Sequence, residues 1–233
     1  MQPITTISFF KYDSLKSKFW AFKMMQDAHQ YLKKIKGQTS YKLMGSGAGL
    51  GFNPLPDWSV YSLLQTWTSE KDAVHFFESS ELIELYKIHT IETCTLYMKT
   101  ILTKGVWNGE NPFISSEKVD TQNIPIAVLT RATIKPSLLF HFWSSVPSSQ
   151  KQLQTYEGLL FSKGVAEIPI FQIATFSLWE NEEVMKSFAY SHNGHKSAIK
   201  KTRTLKWYKE EMFTRFYPFK VEGTWEGKQI LTT

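Results

Sequence analysis

Apolar and polar residues alternate from Thr5 to Lys11, which predicts a strand with one buried face. Ser14 then stands as the N-cap of a long amphipathic helix carrying Phe19, Trp20, Phe22, Met25 and Tyr31, closed by Lys36-Gly37. A short strand, Ser40 to Met44, runs into a glycine loop, and Trp58 to Trp67 forms a longer strand. Ser69 is placed to cap a helix reaching to about His89, with Glu70 favourable at its positive end. Glu92 to Leu102 reads as a strand and completes the order β-α-β-β-α-β.

The second half repeats that order. Ile124 to Ile134 is strand-like, Pro136 opens a helix, and Leu159 to Ala166 and Ile170 to Trp179 are strands. Asn181 caps the next helix, Asn193-Gly194 interrupts it, and His195 begins a helical run to about Glu210 before a last strand from Met212 to Phe219. The words repeat as well as the pattern. Leu64-Gln65-Thr66-Trp67-Thr68-Ser69-Glu70, leading to Phe76, returns as Phe176-Ser177-Leu178-Trp179-Glu180-Asn181-Glu182, leading to Phe188. Each copy closes on a second Trp between glycines, Gly105-Val106-Trp107-Asn108-Gly109 and Gly223-Thr224-Trp225-Glu226-Gly227. The expected fold is therefore α+β: two tandem ferredoxin-like βαββαβ units forming a dimeric α/β barrel within one chain. Residues 1–107 make the first unit, 108–123 the linker and 124–233 the second unit.

The copies are unequal. Trp67 and Trp107 are 40 residues apart, Trp179 and Trp225 are 46 apart, and the longer copy contains Ser191-His192-Asn193-Gly194-His195-Lys196. One elaborated copy on a duplicated scaffold predicts a single site, built in the second half.

With 42% hydrophobic and 15% aromatic residues among 233, the chain can bury a large core, and its rings suit either that core or a pocket for a flat, apolar ligand. The net charge of +6 is concentrated in Lys196, Lys200, Lys201, Arg203, Lys206 and Lys209, which fit the wet face of a helix. No nucleic-acid-binding signature accompanies it, so nucleic acid is not an expected partner. A single cysteine, Cys94, excludes an internal disulfide and a thiolate cage. Without a signal peptide or a long apolar run, the expectation is a cytoplasmic protein, with peripheral contact to the inner membrane left open.

Nucleophile elbows, zincin helices and P-loops are absent, and Gly45-Ser46-Gly47-Ala48-Gly49-Leu50-Gly51-Phe52 misses the third glycine of a dinucleotide loop. It reads as a tight connection or as a loop against a ligand's flat face. His195, Ala198, Ile199 and Thr202 share one helical stripe that turns inward, away from the lysines. His195 is therefore a core histidine or a metal ligand, kept neutral by the helix N-terminus. One histidine cannot cage a metal, so a ligating His195 points to an iron with its own equatorial ligands, haem b. His192 is the reserve ligand; His29, His75, His89 and His141 are read as structural. Arg131, a charge within a strand pattern, either faces solvent at an edge or points into the barrel to hold an anion.

These residues resemble the spheroidene monooxygenase family, the carotenoid ketolases of purple phototrophs and their bacterial relatives. The likeness runs along almost the whole chain: Phe19-Trp20-Ala21-Phe22; Lys42-Leu43-Met44-Gly45-Ser46-Gly47 with Pro54-Leu55-Pro56; Leu129-Thr130-Arg131-Ala132-Thr133-Ile134; Phe142-Trp143. It continues through Gly164 with Glu167-Ile168-Pro169, Thr175-Phe176-Ser177-Leu178-Trp179, His195 with Ala198-Ile199, and Trp207-Tyr208 with Arg215-Phe216. The resemblance implies a haem oxygenase that uses dioxygen and two electrons per round, from a ferredoxin or similar donor, to place a keto group on a carotenoid by way of a hydroxyl. It implies His195 as axial ligand, Ala198 and Ile199 beside the haem, and Arg131 on a propionate or the bound oxygen. The chain departs from the phototroph enzymes in being rich in Lys, Phe and Ile, so the resemblance speaks more to cofactor than to substrate. Rival expectations are an aldoxime dehydratase-like or peroxidase-like haem enzyme, a haem carrier or sensor with His192 or a Met as second ligand, and a cofactor-free monooxygenase or binding protein.

Overall fold

The structure is a computed structural model that describes residues 2–50, 53–115, 123–145, 153, 156–191, 205 and 207–231. His192, His195, Ala198 and Ile199, and the Asn193-Gly194 break before His195, lie outside the described residues.

Eight strands close into one antiparallel barrel. They are β1 Ile4–Lys11, β2 Gln38–Gly47, β3 Pro56–Trp67, β4 Glu92–Gly105, β5 Ile126–Ile134, β6 Leu159–Ile168, β7 Gln172–Trp179 and β8 Tyr208–Gly223. The order around the barrel is β1-β3-β2-β6-β7-β5-β8-β4, so each half contributes a sheet in the ferredoxin-like order, β4-β1-β3-β2 and β8-β5-β7-β6. Helices α1 Leu15–Asp27, α2 His29–Leu32, α3 Glu70–Ser79 and α4 Glu81–His89 belong to the first half; α5 Leu139–Ser145 and α6 Glu182–Ser191 belong to the second. The expected α+β dimeric barrel within one chain is the observed fold. None of the described helices is long and apolar enough to cross a membrane.

Alternation along the strands produces two layers. Ile7, Phe9, Leu96, Leu129, Phe176 and Phe216 point inward and fill the barrel, while the residues between them face the helices. The repeated words mark equivalent structure. Trp67 packs on Phe76 at 5.3 Å between ring centroids, and Trp179 packs on Phe188 at 5.0 Å. The Ser69 hydroxyl accepts from the Asp72 amide and the Asn181 side chain accepts from the Val184 amide, so both copies are capped as the sequence predicts.

The two seams between the halves differ. β4 and β8 pair continuously from Cys94–Gly223 to Gly105–Met212, whereas β2 meets β6 only at Gly45–Ala166 and Ser46–Val165.

Several boundaries move. The helix expected from Ser69 to His89 breaks at Ser80, whose ψ of 126° is extended, and restarts as α4. The helix expected to reach Glu210 ends sooner: Tyr208 to Glu210 already lie in β8, where Glu210 pairs with Thr133 across from β5. Helical periodicity in the Lys-rich run hid a strand whose inward residues, Met212, Thr214 and Phe216, alternate. The linker is ordered at its start, because Phe113 enters the barrel and packs edge-on to Phe216.

Candidate functional site

The outer faces of the two half-sheets are built differently. In the first half, Tyr41, Leu43, Tyr61, Leu63, Phe10 and Tyr97 meet α1, α3 and α4 in one continuous apolar cluster. In the second half the apolar side chains divide into two groups. Ile126, Val128, Trp179, Met185 and Phe188 form one; Ala132, Ile134, Phe142, Ile173 and Trp207 form the other.

Between them runs a strip of small residues. Gly164 pairs with Thr175, Thr175 with Thr130, and Thr130 with Phe213. The neighbouring rows add Ser162 and Ser177 on one side and Ala166 and Ala132 on the other. No side chain larger than Thr stands on β6, β7 or β5 along the central row, so the strip is shaped for a flat group laid on the sheet. The chain leaves α6 at the first group, through Phe188, and resumes at the second, through Trp207. The segment joining them contains His195.

The glycine loop forms one edge of this strip. The Ser162 hydroxyl donates to the Leu50 carbonyl at 2.6 Å, and Leu50 packs against the Trp179 group. A Cβ on Gly45, which pairs with Ala166, would meet nothing within 4 Å. Of the two readings of this loop, the structure supports a wall beside the strip.

Arg131 points into the barrel and is 1% exposed. The anion it holds is the chain's own: its guanidinium pairs with Glu210 and donates to the Asn108 side chain at 3.0 Å, with Trp107 stacked at 5.5 Å. Burial works to raise the Glu210 pKa, but the amides of Asn108 and Gly109 and the Arg131 charge outweigh it, so the carboxyl sits below its ordinary range. The Arg131 Nε is buried without a hydrogen-bond partner among the described residues.

The cation on the outer face is Arg215, opposite Val128 at the edge of the strip. It donates to Glu182 at 2.5 Å, and its buried Nε also has no partner among the described residues. Sequence reasoning noted Arg215 only as part of a matching word. Its signal was the alternation of β8, which puts Arg215 out of phase with Thr214 and Phe216 and therefore on the helix side.

Of the histidines read as structural, His29 bonds the Tyr41 hydroxyl at 2.9 Å and His89 stacks on Trp20 at 3.9 Å. Cys94 is fully buried in the barrel, where burial, with Glu92 nearby, pushes its thiol up to about 12. Among the described residues no three His, Cys, Asp or Glu side chains gather as a metal site. A cleft of about 440 Å³ opens on the first half between Phe77, Ile83, Lys87, Tyr97 and Glu222, away from every predicted site residue.

Fold and site together define a single-chain dimeric α/β barrel with one half adapted to carry a ligand. Aldoxime dehydratase, solved in complex with butyraldoxime, shares this fold over 95% of this chain and 82% of its own, at a TM-score of 0.65 and 10% identity. By sequence the chain belongs to the spheroidene monooxygenase family. It is 33% identical to spheroidene monooxygenase of Rhodobacter capsulatus over 99% of this chain and 96% of that protein. It is 34% identical to that of Cereibacter sphaeroides over 98% of this chain and 70% of that protein. No protein-family profile matches the chain.

Proposed function

We propose that this chain is a haem-dependent monooxygenase acting on an apolar polyene of the carotenoid class, spheroidene being named for its relatives, and that it forms a keto group by way of a hydroxyl. The observation that carries this reading is the strip of Gly, Ala, Ser and Thr between two apolar groups, in the half whose joining segment holds His195. The donor set fits haem: a lone neutral imidazole suffices when the cofactor brings its own equatorial nitrogens. His195 would ligate the iron, with Ala198 and Ile199 one turn on leaving the ring room. When bound, haem supplies the dioxygen chemistry, with two electrons per round from a ferredoxin-type donor.

The chain's residues do the rest. The Trp179–Phe188 and Phe142–Trp207 contacts wall the strip on both sides and exclude water. The Thr130 and Thr175 hydroxyls are the polar groups of its central row and would orient a hydroxylated product of the first round for the second. Arg215 stands where a carboxylate at the edge of the strip would reach it, which assigns a haem propionate to Arg215. Arg131, expected on a propionate or the bound oxygen, acts in this reading from inside the barrel, by fixing Trp107 and Glu210 beneath the site.

The test is the visible spectrum of protein expressed with a haem precursor, in ferric, dithionite-reduced and CO-bound forms, beside His195→Ala. An intense Soret band that shifts with CO and is lost or displaced in the variant is expected. Colourless protein that takes up no added haemin would sink the reading.

A further inference from the structure

The helix α1 buries Ser17, Ala21 and Met24 and turns the opposite side outward. That side carries Leu15, Phe19 and Phe22, which are 87%, 67% and 52% exposed. The sequence pattern led us to expect Phe19 and Phe22 in the core, and their exposure is the departure that needs a reason. Spaced at i, i+4 and i+7, they form an apolar stripe on the wrong side of the helix for the protein's own core.

The stripe continues beyond the helix. Phe22 packs edge-on to Trp58 at 5.6 Å, and Trp58 and Leu55 are themselves 53% and 67% exposed. Lys18 flanks the stripe on one side of α1, and Lys16 and Lys23 flank it on the other. Asp57, the acid beside Trp58, is ion-paired to Lys163 at 2.7 Å and presents no free charge there.

We propose that this surface docks the protein on a bilayer containing anionic lipid. Phe19, Phe22, Leu55 and Trp58 enter the interface, and the three lysines lie at the level of the phosphates. Charge complementarity selects this occupant: lysines bordering an apolar stripe suit acidic headgroups over acyl chains.

The surface also leads to the strip. Leu55 accepts from the Ala48 amide at 2.9 Å, and two residues on, Leu50 accepts from Ser162 at the strip's edge. The β2–β3 connection thus spans from the docking surface to the site. This extends the polyene reading by giving the substrate a source: it would pass from the membrane along this connection.

Docking is measured by co-sedimentation with vesicles of equimolar phosphatidylglycerol and phosphatidylcholine, against phosphatidylcholine alone, with sedimentation velocity in the absence of lipid. The wild type should bind the anionic vesicles, and Phe19→Glu/Phe22→Glu should bind about tenfold more weakly while keeping its circular dichroism. Lys16→Gln/Lys18→Gln/Lys23→Gln should lose the preference for anionic lipid. Wild type that stays in the supernatant, or binds as well with both glutamates in place, overturns the inference. So does a wild-type dimer that the glutamates dissociate, which would make the surface a contact between copies. The measurement needs neither haem nor substrate, so its failure is separate from a failure of the spectrum.

Discussion

Phe9 and Arg131 occupy equivalent positions in the two halves of one barrel. Phe9 pairs with Cys94 and Arg131 with Met212, and the partners of those residues across the β4–β8 seam are Gly223 and Gly105. Each lies beneath a Trp turn: Trp225 is 5.9 Å from Phe9 and Trp107 is 5.5 Å from Arg131. The turns plug opposite ends of the barrel, and each is tied to a glutamate. Gly227 donates to Glu92, and Gly109 donates to Glu210. A duplicated plug has thus exchanged an aromatic ring for a buried cation at one end only.

Removing Glu210 would leave that cation unpaired in an apolar barrel. Glu210→Gln should cost about 3 kcal/mol in urea denaturation near neutral pH. Because the Glu210 pKa is lowered on folding, its contribution is present above its ordinary value of 4.5 and fades as pH falls through the folded pKa. The difference between wild type and variant should therefore shrink toward about pH 3. Arg131→Met/Glu210→Gln should recover most of the loss; a double variant as unstable as the single would show that the pair is not the cause.

The two arginines separate by their effects. Arg215→Met should weaken haem retention by about tenfold, since a propionate contact is a charge-assisted pair, and leave the unfolding midpoint nearly unchanged. Arg131→Met should do the reverse. Titration of each apoprotein with haemin, beside thermal unfolding, reads both; equal haemin affinities in wild type and Arg215→Met would remove Arg215 from the site.

A large side chain on the central row should block a flat ligand. Thr175→Trp is expected to keep the barrel, at a cost of about 1–3 kcal/mol, and to take up no haem. The check is the ratio of Soret to protein absorbance after saturation; a normal ratio would mean that the ligand lies elsewhere.

The fold was legible because alternation and repetition act locally: each strand's inward residues announce themselves at every second position, and Trp67 and Trp179 recur with their caps. The break at Ser80 was not, because Ser69 to His89 carries no proline or glycine and the interruption comes from an extended ψ at one residue. Nor was the exposure of Phe19 and Phe22, since an apolar stripe on a helix does not say which of two apolar faces the protein buries. The site was half legible. His195 stood out by periodicity, whereas Arg131 and Arg215 differ only in which side of a strand they occupy. For Arg215 that depended on knowing that β8 begins at Tyr208.

Both Trp turns begin at a glycine that admits no side chain. Gly105 and Gly223 have φ of +88° and +85°, and a Cβ on either would lie 2.1 Å from a carbonyl oxygen, of Glu211 and Thr93 respectively. Gly105→Ala and Gly223→Ala should each lower stability by at least about 2 kcal/mol, through backbone strain and the clash together. Differential scanning calorimetry would show it, and an unchanged midpoint in either would mean that the turn can be repositioned without loss.

The unequal seams give the barrel wall a spine and a lip. Along β4 and β8 the halves are bound edge to edge, so a bulky guest cannot part them there without breaking a whole ladder. At β2 and β6 the join is only Gly45–Ala166 and Ser46–Val165, directly below the glycine loop and beside the strip. Any widening that admits a long, stiff molecule falls to this lip, where it breaks few hydrogen bonds and leaves the spine closed.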